Sequence, residues 1–203
     1  MDADANKNLF TELYINIKQQ AEKSVSILVD HAYEIENFLK SDLFSNNECN
    51  NHENSTSSNN QLNTIIYPVQ NHLRNFIEIV EYLTLWLELE IPAYSESDDF
   101  HIVVQNEILD EIALMKANCV TYMGQIVDYR EQRAVANKEL FKRPQLDDNY
   151  HLISNLDYQL YRNLKLMLVE MKSYILRICN ILTKNKHLIN RSSSYHQHVN
   201  NYF

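Results

Sequence analysis

A single glycine and three prolines in a chain of 203 residues leave almost no material for tight turns. A many-stranded sandwich or barrel spends those residues wherever the chain reverses, so such folds are excluded and an all-α chain is expected. The same shortage excludes loops that cradle phosphates, where glycine lets backbone approach the ligand, because Gly124 stands alone inside a helical pattern. The length suits one sizeable core, so residues 1–203 are expected to form a single domain.

Periodicity divides the chain into four long helices. Over 7–44 apolar residues recur three or four apart at Phe10, Leu13, Ile17, Ala21, Val25, Leu28, Ala32, Ile35 and Leu39, one face of a helix. Residues 45–61 turn to Asn, Ser and charge, too polar to repay their ordering entropy, and read as a disordered loop. The second helix spans 68–91, with Leu73, Phe76, Val80, Leu83, Leu87 and Ile91 on one face. Pro68 suits a first turn, or else is a kink with 62–67 adding helix upstream. Ile91-Pro92 stops this helix, and an acidic loop over 92–99 follows.

The third helix, 100–142, carries the most regular stripe: Ile108, Ile112, Met115, Cys119, Tyr122, Ile126, Tyr129, Arg133, Ala136 and Leu140. Beside it runs a second stripe rich in small residues, Leu109, Ala113, Ala117, Val120, Gly124 and Val127. Small residues let another helix approach closely, so this is either a broadened core stripe or a face for a further helix. Arg143-Pro144 ends the helix, since the residue before proline is pushed out of the α region. The fourth helix, 148–189, carries Leu156, Leu160, Leu164, Met167, Met171, Ile175, Ile178 and Leu182, and a flexible polar tail over 190–203 closes the chain.

Helices one, three and four match in length at about 55 to 65 Å. The simplest arrangement is an up-down-up-down four-helix bundle. That topology gathers the N-terminus, the 92–99 loop and the C-terminal tail at one end, which becomes the candidate docking surface.

Chemistry that would make the chain an enzyme is missing from the pattern. No Glu-x-x-His pair supports a di-iron site, and no spacing pairs a Ser or Cys nucleophile with a base. His196 and His198 lie in the polar tail without carboxylate or thiolate company, and the other histidines are scattered. Asp98-Asp99 lacks the glycine turn and alternating ligands of a calcium loop. Cys49, Cys119 and Cys179 form no C-x-x-C pair and read as reduced thiols of an intracellular protein. No metal or cofactor is expected. A formal net charge of -9 argues against nucleic-acid binding, and the absence of a long apolar segment or a leader argues against a membrane, leaving proteins as partners.

Trp86, Ile91 and Pro92 form a Trp-x-x-x-x-Ile-Pro helix end, followed by an acidic loop, Phe100 and Gln105; Ile126-Val127-Asp128-Tyr129, Arg133, Lys142-x-Pro144, Asp148, Leu156-Asp157, Tyr161 and Leu164 follow in order. In these motifs the sequence, over roughly 71–189, resembles the 11S regulator (REG) family of proteasome activators. The resemblance implies seven copies in a ring (a homoheptamer), no nucleotide, and the 20S proteasome α-ring as partner. It implies that Asn200, Asn201, Tyr202 and Phe203 dock into that ring. It implies that Ala93, Tyr94, Ser95, Glu96, Ser97, Asp98, Asp99, Phe100 and His101 form an activation loop that opens the gate. It also makes the small-residue stripe a subunit interface.

The chain departs from the family's Gly-Asn-Asn-Phe-Gly loop, carrying Ser97-Asp98-Asp99-Phe100-His101 instead. Carboxylates accept hydrogen bonds but cannot donate them, as the amides would. The expected location is cytoplasm, nucleus or both. The alternative reading is an oligomeric helical scaffold or adaptor that opens no gate.

Overall fold

The structure is a computed structural model. It describes the backbone of residues 3–45, 60–91 and 100–199 and the side chains within 8–44, 62–91, 100 and 102–187. Its elements are α1 (Ala3–Leu39), α2 (Asp42–Ser45), α3 (Asn60–Glu90), α4 (Phe100–Lys142) and α5 (Asp147–Val199). Four long helices form the all-α bundle expected from the glycine shortage, and no strand occurs among the described residues. None of the described helices is long and apolar enough to cross a membrane.

The residues gather into two compact units, each built from segments of all four long helices. The first holds Met1–Ala32, Phe76–Lys116 and Tyr174–Phe203; the second holds Tyr33–Asn75 and Ala117–Ser173. In the first, Ala21 and Leu28 of α1, Phe76, Val80, Leu83 and Leu87 of α3, Ile108, Ile112 and Met115 of α4, and Ile175, Ile178 and Leu182 of α5 are buried. In the second, the buried stripe of α4 continues through Cys119, Ile126, Tyr129, Ala136 and Leu140, and α5 supplies Ile153, Leu160, Leu164, Met167 and Met171. Burial of an apolar side chain of this size contributes about 1.5–3 kcal/mol, so these stripes outweigh any single polar contact.

Three boundaries and one face differ from the sequence reading. The first helix ends at Leu39, five residues early, and the chain turns before α2. The turn is closed by the Lys40 amide on the Glu36 carbonyl (3.2 Å) and by Ser41, whose amide (3.1 Å) and hydroxyl (2.7 Å) both donate to the Phe38 carbonyl. It lets Phe44 bury, its ring 5.4 Å from Phe38 edge-on and 5.7 Å from Tyr161.

The second predicted helix starts at Asn60, eight residues before Pro68, which lies inside it. Leu62, Ile65 and Ile66 upstream of the proline and Val69 directly after it are all buried on one face. Four such side chains offset the roughly 3 kcal/mol that an interior proline costs. At the other end of the chain, helix runs to Val199, ten residues past the expected end at 189. The added stretch, Asn190 to Val199, holds neither Gly nor Pro, and extending an existing helix avoids the cost of a nucleus. Finally, Phe10 and Leu13, expected on the core face of α1, are exposed at 62% and 53%. The remainder of the 45–61 loop, residues 46–59, lies outside the described residues.

Two polar clusters in the second unit involve α5. The Tyr129 hydroxyl donates to Asp157 Oδ1 at 2.7 Å, and the Arg133 guanidinium reaches both oxygens, at 2.8 and 3.3 Å. Burial, then the hydrogen bond to Asp157, pushes the Tyr129 phenol far above its usual range. Lys172 Nζ meets Glu36 at 2.5 Å, and Lys40 meets it at 2.9 Å. These two ammonium groups, Lys172 foremost, lower the Glu36 carboxyl from 4.5 to about 2.

Asp157→Ala removes the carboxylate and leaves a guanidinium and a phenol buried together, so the variant is expected to lose about 3–5 kcal/mol, read by chemical denaturation. Asp157→Asn, which keeps an acceptor, should lose less. A second expectation follows from Glu36. Because its folded pKa is depressed, its contribution is present above about 4.5 and lost as pH falls toward about 2. The stability gap between the wild type and Glu36→Gln should hold steady near neutral pH and close across that acidic window.

Candidate functional site

The first unit contains both roots of the 92–99 loop, the last turn of α3 and the first turns of α4. Leu83, Trp86 and Leu87 are buried on α3, and the same face reaches Glu90, the last helical residue, which is fully buried. Its carboxylate is surrounded rather than solvated. Oε1 accepts from the Tyr14 hydroxyl at 2.6 Å and from the Trp86 indole nitrogen at 3.1 Å. The Lys18 ammonium stands 3.6 Å from the same oxygen. Tyr14 and Lys18 sit one turn apart on α1, so they share a face and meet Glu90 together. Beyond it the Ile91 amide bonds the Glu88 carbonyl at 3.3 Å and the helix ends.

On the other root, α4 opens with Phe100, 67% exposed, and Gln105 is fully buried one turn later. Ion pairs brace the unit at its surface, with Lys116 Nζ to Glu81 at 2.8 Å and Arg177 to Glu111 at 2.8 Å. Exposed pairs of this kind contribute at most about 1 kcal/mol each.

The predicted site residues fall differently. Of the activation loop, 93–99 lie outside the described residues, while Phe100 and His101 begin α4. The predicted docking residues Asn200, Asn201, Tyr202 and Phe203 also lie outside them. The small-residue stripe is fully placed. Leu109 is half-buried, whereas Ala113, Ala117, Val120, Gly124 and Val127 are exposed. The stripe is thus no part of the chain's own core. A Cβ added at Gly124 would meet nothing within 4 Å, so the chain's own packing does not demand glycine there.

Sequence reading missed two features. One is Glu90 with its partners, which the spacing 83, 86, 87, 90 does signal, since it puts a carboxylate on the buried face. The other is an exposed apolar series on α5, Leu152, Tyr158, Leu166, Val169 and Leu176. In the second unit a groove of about 280 Å³ opens between α4 and α5, lined by Gln125, Gln132, Gln159 and Asn163 with Asp128. Amide side chains there offer both donors and acceptors.

The family described as "Proteasome activator PA28, C-terminal" matches residues 55–198. Proteasome activator complex subunit 3 of human, mouse and chicken is 27% identical over 137 residues, which is 68% of this chain and 54% of each relative. The chain therefore spans about half the length of the curated relatives it matches. Among solved structures, the 11S subunit of the Plasmodium falciparum proteasome, PA28, superposes with a TM-score of 0.84 at 18% identity, covering 94% of this chain and 95% of that one. A chain in the crystal structure of an archaeal 20S proteasome in complex with the C-terminus of PAN superposes with a TM-score of 0.63 at 14% identity, covering 87% of this chain and 83% of that one. At these identities the superpositions speak to the fold. The family match takes in well over half of the sequence and agrees with the motifs from Trp86 to Leu164, and the chain belongs to the PA28 family of proteasome activators.

Proposed function

We propose that the protein is an ATP-independent activator of the 20S proteasome, a regulator of a protease and not itself an enzyme. The observation that carries this reading is the family match over 55–198, which includes both roots of the 92–99 loop and nearly all of α5. Seven copies form a ring on the proteasome α-ring. Asn200, Asn201, Tyr202 and Phe203 of each copy dock, and Ala93 to His101 press the gate open. The protein acts by binding the open-gate state better than the closed one, which shifts that equilibrium without consuming a nucleotide. Individual tails need only weak affinity, because a ring presents several at once and the second and later contacts form at raised effective concentration. It works in the cytoplasm, the nucleus or both.

The exposed residues Ala113, Ala117, Val120, Gly124 and Val127 support assembly of copies through α4, since small side chains allow close helix approach. They support a scaffold without gate opening equally well. The two readings separate on activity.

Adding the protein at saturation to the cognate 20S particle should raise hydrolysis of fluorogenic peptides. Deleting Tyr202 and Phe203 should weaken binding by about a hundredfold or more, the scale of a lost multivalent contact. An intact ring that binds and gives no stimulation would leave the scaffold reading standing. Native mass spectrometry should find a particle of about seven subunits, and Val120→Asp, which puts a charge into the stripe, should shift it toward monomer. A wild-type protein that is monomeric at micromolar concentration would overturn the ring.

A further inference from the structure

We propose that Glu90 is a positioning residue for gate opening: held by Tyr14, Trp86 and Lys18, it fixes the last turn of α3, and with it the direction in which the chain leaves toward the loop. This rests on the activator reading above and adds a residue to it.

Glu90 breaks two local rules at once. It is a carboxylate with no exposed surface, although removing charge from water is strongly unfavourable. It is also a negative charge at a helix C-terminus, where the macrodipole favours a cation, and the last turn of α3 holds no basic residue to offset it. Departures of this kind concentrate at functional sites, and this one sits one residue before Ile91-Pro92.

The geometry shows what the carboxylate accomplishes there. One oxygen takes the Tyr14 hydroxyl and the Trp86 indole N–H, and Lys18 approaches it with its side chain 31% exposed, so the pocket is closed by a cation at its rim. Tyr14 and Lys18 belong to α1, Trp86 to the preceding turn of α3. The end of α3 is thereby tied to α1 by the Tyr14 hydrogen bond and the Lys18 ion pair, and the Trp86 bond fixes the carboxylate within α3 itself. Stability alone would not call for this, since apolar residues of similar volume commonly replace a buried ion pair at no loss. Apolar packing, however, holds a position without fixing an angle, while hydrogen bonds weaken steeply off their preferred direction.

The test compares Glu90→Leu with Glu90→Gln in the full chain. Glutamine keeps the carbonyl oxygen that Tyr14 and Trp86 donate to and loses only the pairing with Lys18. Leucine loses every directional contact. Trp86 is the chain's single tryptophan, so its emission reports the cluster directly in both variants.

With ring mass and helicity unchanged, Glu90→Leu should bind the 20S particle with a half-saturating concentration within about twofold of wild type and lose about tenfold in maximal peptide hydrolysis, the effect of removing hydrogen bonds to a charged group. Glu90→Gln should retain more than half of the maximal rate. Full stimulation by Glu90→Leu would overturn the proposal, as would equal losses in both variants. If Glu90→Leu does not assemble, Tyr14→Phe, which deletes one donor and keeps the ring, takes its place and should give an intermediate loss; an unchanged rate overturns the proposal. If the wild type itself stimulates nothing, the activator reading fails. Glu90 is then judged by amide hydrogen exchange at Leu89 to Ile91. Faster exchange in Glu90→Leu than in Glu90→Gln at matched global stability supports the fixed helix end, and equal exchange overturns it.

Discussion

Everything in this chain depends on one apolar stripe per helix finding cover, because there is little else to hold it. With so few turn-forming residues the helices grow long, at about 55, 65 and 80 Å for α1, α4 and α5 by the rise per residue. Long helices fray from isolation unless a face is buried along their length. The stripe on α4 does this from Ile108 to Leu140, with Tyr122 and Arg133 half-buried, and its few polar members are handled individually. Tyr129 and Arg133 both turn to Asp157, which converts a polar break in the stripe into a fixed contact with α5.

Most of this was legible in the sequence, and the places that were not share a cause. Periodicity names the face a helix buries, as it did for Leu73 to Leu87 and for Leu160 to Leu182. It says less about where a helix stops. Pro68 left two readings open, and only the burial of Leu62, Ile65 and Ile66 decides that α3 continues through it. Phe44 looked like the end of a helix, yet a ring with Phe38 and Tyr161 to pack against bends the chain to reach them. Phe10 and Leu13 obey the helical period and are still exposed, since a period alone does not supply a partner. The motifs from Trp86 to Leu164 made the family legible, while residues 93–99 and 200–203 lie outside the described residues. Glu90 was missed because a glutamate in an amphipathic helix is read as solvated, even when its spacing puts it among Leu83, Trp86 and Leu87.

The division of labour between the two units follows the same logic. The second unit is tied by Asp157 and by Glu36 with Lys172, contacts made between distant parts of the chain. The first holds both roots of the 92–99 loop and the C-terminal stretch of α5, and its surface ion pairs are exposed. The segments that would meet a partner thus emerge from a unit in which, among the described residues, the one fully buried carboxylate lies at the base of the loop.

One sulfur in the α4 stripe has a further consequence. Cys119 has no exposed surface, and burial raises its thiol to about 12, so at neutral pH it carries almost no thiolate. Thiolate is the species that attacks oxidants, alkylating reagents and disulfides. Cys119 is therefore chemically silent while the core is shut and acquires ordinary reactivity only when α4 lifts away. Its rate of modification is a clock for the opening of the bundle, set into the stripe on which the whole fold relies.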